Sequence, residues 1–390
     1  MEKDGWLGEA GHLWIVGIIA ELIQDGTRDD SWPFPEEHIG KAENIIFLLL
    51  KNIKAEEDRE ITDYVTYTLN TALGKTISAL ILLALRIARI NDKKGIKSDI
   101  KWTSEYKNKY DEILSKKIIE GFTCLGRYLP NFYYLDKAWI KEKVESLENE
   151  KGSKHWEAFM DGYFSIGKVY DDLYELMKPY YQYGLSYDFK EHHNQELLIQ
   201  HICIQYLRDH EKLDDPDSLF KNIIDAWKPE QVQEIISFFW VQRNYLVESS
   251  DENEKIKGNI IAFWKQFFEQ YRGKNESSLT QEDRHILSSA SRLSLFLPKI
   301  SAEYYEWLKL SAPYVNERFN AHFFIEYLDQ LKDRGDTANN ANYIGDIYLR
   351  MLDKNTPDYE QENIRSIVEF LYDTGVIDKA STICNIYELS

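Results

Sequence analysis

Ile344-Gly345-Asp346-Ile347-Tyr348-Leu349-Arg350-Met351 sets its apolar side chains at i, i+3, i+4 and i+7, the spacing of one face of an α-helix. The same spacing recurs on either side of it. Tyr304, Trp307 and Leu308 form one such face, and Phe324, Tyr327, Leu328 and Leu331 the next. Ile364, Ile367, Val368, Leu371 and Tyr372 follow, and Ala380, Ile383, Cys384 and Tyr387 close the series. Gly335 and Gly375 fall just past helix ends, where a left-handed residue is needed. Thr356-Pro357-Asp358 reads as a helix start, with Thr356 as N-cap and Pro357 in the first turn. Ile344-Gly345-Asp346-Ile347-Tyr348 also echoes the Leu-Gly-x-x-Tyr core of a tetratricopeptide helix, although no strict repeat length is visible. Short tandem helices of this kind are the units of an α-solenoid, which recognises other macromolecules more often than it catalyses. Residues 299–390 are therefore read as tetratricopeptide-like helical repeats.

Helical spacing extends back through the chain. A first helix is expected over Gly5 to Gln24, and Ser31-Trp32-Pro33-Phe34-Pro35 breaks the chain after it. Ile39, Ala42, Ile45, Ile46, Leu49, Leu50 and Ile53 form the next stripe. Thr62 to Arg89 reads as one very apolar helix between neighbours, and Tyr106 to Tyr128 as another, ended by Pro130. The charged run Lys141 to Lys154 marks either a boundary or an exposed helix end. Beyond it, Trp156 to Phe164 opens a middle block, and a helix through Leu173 and Met177 is expected to stop at Pro179. Val232 to Trp240 follows Pro229, Ile256 to Tyr271 comes next, and Ile286 to Leu297 runs up to Pro298. No alternating apolar and polar run is found. The expected fold is all-α, an irregular α-solenoid of antiparallel helix pairs in blocks 1–150, 151–298 and 299–390, read as one continuous array. The last periodic helix, Ala380 to Leu389, reaches the end of the sequence without a cap. Ile383, Ile386, Tyr387 and Leu389 are then expected to be partly exposed, as in a piece of a longer protein.

The 390 residues are 43% hydrophobic and 14% aromatic, enough for a continuous core. The formal charge of −19 repels phosphate backbones and argues against sequence-independent nucleic-acid binding. Lys93, Lys94, Lys97, Lys101, Lys107 and Lys109 form a local basic strip, but Asp92, Asp99, Glu105 and Asp111 interleave with it, as on a solvated face. Cys124, Cys203 and Cys384 are widely separated, which suits neither a zinc site nor a disulfide framework and points to a reducing compartment. The apolar run Leu13 to Ala20 lacks the positive flank of a secretory signal, and Glu21 interrupts it short of a membrane span. It is read as a buried helix of a soluble, cytoplasmic protein.

Three groups invite chemistry. Gly74-Lys75-Thr76 matches the tail of a P-loop, but its leading glycine would fall at Leu69 and the segment reads as mid-helix. Asp171-Asp172-Leu173-Tyr174-Glu175 resembles the aspartate-rich motif of isoprenoid synthases, in which carboxylates on one helix face hold Mg²⁺. No second metal motif accompanies it, and a solvated acidic face is the simpler reading. His192, His193, Glu196 and His201 lack the HExxH spacing, and His201 sits on an apolar face. No nucleophile elbow is present. No catalytic, cofactor-binding or metal-binding residue is therefore nominated, no cofactor is expected, and any catalytic module is expected outside this chain.

Two stretches carry a family resemblance. Asn70-Thr71-Ala72-Leu73-Gly74-Lys75-Thr76, leading into Ala79-Leu80, is similar to a helix start in the C-terminal helical regions of bacterial antiviral STAND NTPases. Ser311-Ala312-Pro313-Tyr314-Val315, Glu326-Tyr327-Leu328, Tyr343-Ile344-Gly345-Asp346-Ile347 and Val368-Glu369-Phe370-Leu371-Tyr372 resemble the tail of those proteins. The resemblance implies a target-sensing region that binds a phage structural or packaging protein and oligomerises as part of a larger receptor. Its positions are packing residues, so no ligand contact carries over. The alternatives are an all-α Mg²⁺-dependent enzyme using Asp171, Asp172 and Glu175, and a general protein-binding scaffold.

Overall fold

A computed structural model describes residues 12–53, 60–248, 250–318, 320–335, 337–354, 356–357 and 361–388. Among them the regular structure is helical: twenty α-helices, several short 3-10 turns, and one isolated bridge between Ile100 and Asp136. Contacts divide the chain between Leu198 and Ile199 into two compact units. The charged run at 141–154 lies inside the first.

The first unit contains α1 (Leu13–Thr27), α2 (Ile39–Asn52), α3 (Tyr64–Asn70), α4 (Ala72–Lys93), α5 (Ser104–Ser115) and α6 (Ile119–Arg127). It continues with α7 (Leu129–Leu135), α8 (Lys137–Ser146), α9 (Lys154–Phe164), α10 (Asp171–Gly184) and the start of α11 (His192–Leu207). Its centre is α4, which packs against α1, α2, α3, α6 and α7 and buries every residue from Ala79 to Leu85. Trp102, Tyr110, Phe132 and Trp139 form a second apolar focus, with ring centroids 4.8–6.4 Å apart.

Several expected boundaries move. The segment 62–89 is two helices, α3 and α4, meeting at 86°. Thr71 is extended there, and its hydroxyl accepts from the Gly74 N–H at 3.0 Å, so a side-chain cap starts a new helix inside an apolar run. Gly74-Lys75-Thr76 therefore lies in the first turn of α4 rather than mid-helix. The segment 106–128 also divides, at left-handed Lys117, and Pro130 sits in the first turn of α7 instead of ending a helix. Pro179 does not stop α10 either. The helix runs through it to Gly184, anchored beyond the proline by buried Tyr180 and Tyr181. The first helix begins at Leu13, and residues 5–11 of its expected span lie outside the described residues. It is also not buried all round: Val16, Ala20 and Ile23 face the core, while Trp14, Ile18 and Leu22 are exposed.

The second unit holds the rest of α11, then α12 (Leu219–Ala226), α13 (Pro229–Val241), α14 (Asp251–Tyr271), α15 (Gln281–Ala290) and α16 (Ala302–Ser311). It ends with α17 (Ala321–Lys332), α18 (Thr337–Leu352), α19 (Gln361–Asp373) and α20 (Ile377–Tyr387). The expected run 286–297 stops being α-helical at Ala290 and continues as a 3-10 helix, Ser291–Phe296. In α16 to α20 each helix touches its successor or the 3-10 turn between them, and α16 meets α18, α17 meets α19, and α18 meets α20. Most of the nominated faces are buried: Phe324, Leu328, Ile344, Ile347, Tyr348, Ile367 and Leu371 are fully so, while Tyr304, Cys384 and Tyr387 are half-buried and Tyr372 is exposed.

Gly375 ends α19 as expected, at φ +81°. Its N–H donates to the Tyr372 carbonyl at 3.0 Å, and the Val376 N–H donates to that of Leu371 at 2.8 Å. This is a Schellman arrangement. Gly335, at φ +89°, follows α17. Thr356 and Pro357 precede α19, whose described residues run from Gln361, and Asp358 lies outside the described residues. α20 does have a cap: left-handed Glu388 donates its N–H to the Cys384 carbonyl, and Ile383 is buried instead of partly exposed. Ile386 is exposed as expected, and Leu389 lies outside the described residues.

Candidate functional site

A cleft of the second unit lies along α14, α16 and α18. The end of α14 supplies Phe268 and Tyr271, the turn after it Lys274, α16 supplies Glu306, Trp307 and Lys309, and Tyr314 and Arg350 close it around about 500 Å³. Helical spacing makes this surface. In α16, Trp307 and Leu308 turn into the core, which leaves Glu306 and Lys309 facing outward. Trp307 joins the two helices by ring contacts to Trp264 at 5.5 Å and Phe268 at 6.2 Å. On the far wall Arg350 pairs with Glu276, and Lys354 lies 4.5 Å above the Tyr314 ring.

A polar ladder continues the same face. Tyr305 of α16 stacks on Tyr343 of α18 at 4.6 Å, and its hydroxyl donates to Asp346 at 3.3 Å. Asp346 pairs at 2.8 Å with Lys379 of α20. Lys309 donates to the Tyr305 hydroxyl at 3.0 Å, and that hydrogen bond raises the lysine pKa. A row of aromatic and charged groups held by their neighbours can read a partner's side chains.

The residues that invited chemistry do not assemble a site. Asp171, Asp172 and Glu175 are exposed at the start of α10, where Asp172 accepts from the Tyr133 hydroxyl at 3.3 Å. His193 lies 3.1 Å and His192 4.0 Å from Glu196, with both histidines exposed and the glutamate half-buried. His201 is buried, and burial lowers its pKa to about 4. Among the described residues no group of three or more His, Cys, Asp and Glu side chains is placed to hold a metal ion. Lys75 pairs with Glu21 at 2.8 Å. Most of the basic strip is engaged locally: Lys93 pairs with Asp30, Lys94 with Glu36, Lys101 with Asp92 and Lys107 with Asp136. The three cysteines are free thiols, with Cys124 and Cys203 buried.

Sequence reading missed a buried carboxylate pair on α9. Glu157 accepts from the hydroxyls of Tyr64 at 3.0 Å and Tyr187 at 2.6 Å. Asp161, one turn on, accepts from the Val65 N–H at 3.0 Å and from Asn194 at 3.2 Å, and burial raises its pKa. Four donors on two carboxylates make a clamp between α9, α3 and the start of α11. The i, i+4 spacing was the available signal, but it is also the spacing of a solvated helix face.

No single helix among the described residues is long and apolar enough to cross a membrane. The bent pair α3–α4 passes on length and composition, but α4 is the buried centre of its unit. Comparison with family models, curated proteins and solved structures returns no match for this chain.

Proposed function

We propose that this chain is a non-catalytic helical-repeat recognition region that binds a protein partner in the cytoplasm. The supporting observation is the stacking order of the last five helices, in which α16, α18 and α20 are in mutual sequence of contact while α17 meets α19. Helices that meet both their neighbours and their next-but-one neighbours make two layers, the local geometry of a solenoid. One layer then presents the cleft at Trp307 and the ladder from Tyr305 to Lys379 as a continuous face. The resemblance to antiviral STAND NTPases supplies the partner, a phage structural or packaging protein, and the context, a sensor within a larger bacterial defence protein that oligomerises on binding. The acidic balance of the chain favours a partner with basic patches and a faster encounter at low salt.

The test is co-purification of the tagged chain with phage structural and packaging proteins expressed one at a time. A stable complex is expected that weakens as salt rises and that Lys309→Glu disrupts. If none of the panel binds, or if binding ignores both salt and the substitution, the reading is wrong.

A further inference from the structure

We propose that the exposed stripe of α1, with the groove beside it, docks an amphipathic helix of a partner protein whose flanks are basic. This surface lies wholly in the first unit, and the proposal stands whether or not the α16–α20 face binds anything.

Trp14, Ile18 and Leu22 are 65%, 53% and 61% exposed. They stand at i, i+4 and i+8, so they form one continuous ridge about 12 Å long at ~1.5 Å per residue. Single exposed apolar residues are ordinary, but a contiguous apolar ridge marks an interaction surface. The opposite face of α1 already packs on α4, so the ridge is not surplus core. Beside it runs a groove of about 530 Å³, apolar along Leu13, Trp14 and Ile18 of α1 and polar on its other side, along Thr66, Asn70 and Lys75. A ridge of i±4 residues flanked by a groove is the relief that a second helix packs against.

Charge selects the kind of helix. Glu21 and Asp25 flank the C-terminal half of the ridge on the same side, with side chains 50% and 72% exposed, and Asp25 stands in the last turn of α1, where the helix dipole is negative. Their cations, Lys75 at 2.8 Å and Arg28 at 3.5 Å, come from this chain and leave both carboxylates open to solvent. Lysines or arginines flanking the incoming apolar face would meet them. The same charges disfavour other occupants. A second copy brings another net charge of −19, an anionic lipid surface is repelled, and residues 1–11 carry Glu2, Asp4 and Glu9 against Lys3 alone.

The experiment titrates the full chain into a fluorescein-labelled peptide of about 14 residues, roughly 21 Å as a helix, built of leucine and lysine with the leucines on one face. Fluorescence anisotropy reads the affinity. Saturable binding is expected, with at least a tenfold loss in Ile18→Ser and in Leu22→Ser. Both sites are solvent-facing, and an unchanged circular dichroism melt excludes unfolding. A peptide of the same composition in scrambled order, and one with glutamate for lysine, should each bind at least tenfold more weakly. Equal binding by the variants, or by either control peptide, would overturn the proposal. So would self-association in light scattering that Leu22→Ser abolishes, a large affinity gain on deleting residues 1–11, or tighter binding to phosphatidylserine vesicles than to the peptide.

Discussion

Gly126 and Gly162 are reciprocal partners across the crossing of α6 and α9. A Cβ on Gly126 would lie 2.0 Å from the carbonyl oxygen of Phe159, and one on Gly162 would lie 2.1 Å from that of Thr123. Each glycine thus meets the other helix's backbone rather than a side chain that could move aside. The crossing brings Thr123 and Cys124 of α6 and Phe159 and Met160 of α9 into full burial. It also places Glu157 and Asp161 where α3 can reach them.

Gly126→Ala and Gly162→Ala are each expected to destabilise the chain by about 3 kcal/mol or more, since the helices must separate and the packing around them loosens. Gly258→Ala is the matched control. It sits in α14 with nothing within 4 Å of its would-be Cβ. There the helix-propensity gain of about 0.5–1 kcal/mol should appear as stabilisation. Urea unfolding midpoints test the pair; similar values for all three variants would show that the crossing is not constrained by glycine.

Periodicity reported helix faces well and helix junctions poorly. Ile364, Ile367, Val368 and Leu371 are all buried as their spacing requires, and Gly375 adopts the left-handed turn expected of it. Hydropathy reads 62–89 as one helix because it does not register the Thr71 side-chain cap that redirects the backbone within an apolar run, although the 70–76 stretch resembles a helix start. Pro179 was overestimated as a stop, because burial of the following tyrosines outweighs the lost backbone hydrogen bond. Leu13 to Ala20 was apolar enough to suggest burial all round, but composition does not tell which face has a neighbour. The buried polar groups were the least legible. Glu157 and Asp161 look in sequence like any solvated carboxylate, and only tertiary structure supplies their donors.

His201 makes stability depend on pH. Its folded pKa is lowered by burial to about 4 from 6.5, so the unfolded chain takes up the proton first. The stabilisation is fully present above about pH 6.5 and is lost progressively as pH falls towards about 4. At ~1.36 kcal/mol per unit, about 2 kcal/mol should go between roughly pH 7 and pH 5, before most carboxylates titrate. His201→Gln should flatten that slope in urea unfolding. Parallel pH profiles for the two proteins would rule the assignment out.

Asn340 ties the start of α18 to the end of α17. Its side-chain N–H groups donate to the carbonyls of Arg334 at 2.7 Å, Lys332 at 3.1 Å and Leu331 at 3.4 Å, and the residue is 1% exposed. These acceptors include carbonyls that a helix end leaves without partners. Asn340→Ala should cost about 1–3 kcal/mol through the acceptors left buried. Asn340→Asp should cost more, because a carboxylate would face three carbonyl oxygens. Thermal melts compare the two, and the prediction fails if aspartate is tolerated as well as alanine.

Asp171, Asp172 and Glu175 separate recognition from Mg²⁺-dependent catalysis. All three are exposed, and the two aspartates stand in the first turn of α10, where negative charge favours the helix dipole. Replacing them together by Asn, Asn and Gln should lower stability by no more than about 1–2 kcal/mol, with the loss shrinking as salt is added. Mg²⁺ titrations of the wild-type and triple-variant chains should then give indistinguishable calorimetric traces. Wild-type uptake of Mg²⁺ that the triple variant abolishes would instead make this helix start a metal site and reopen the enzyme reading. Carboxylates exposed on an open helix face hold a hard, strongly hydrated cation too weakly for that result, since Mg²⁺ needs near-octahedral oxygen ligation that three exposed side chains on one helix do not provide.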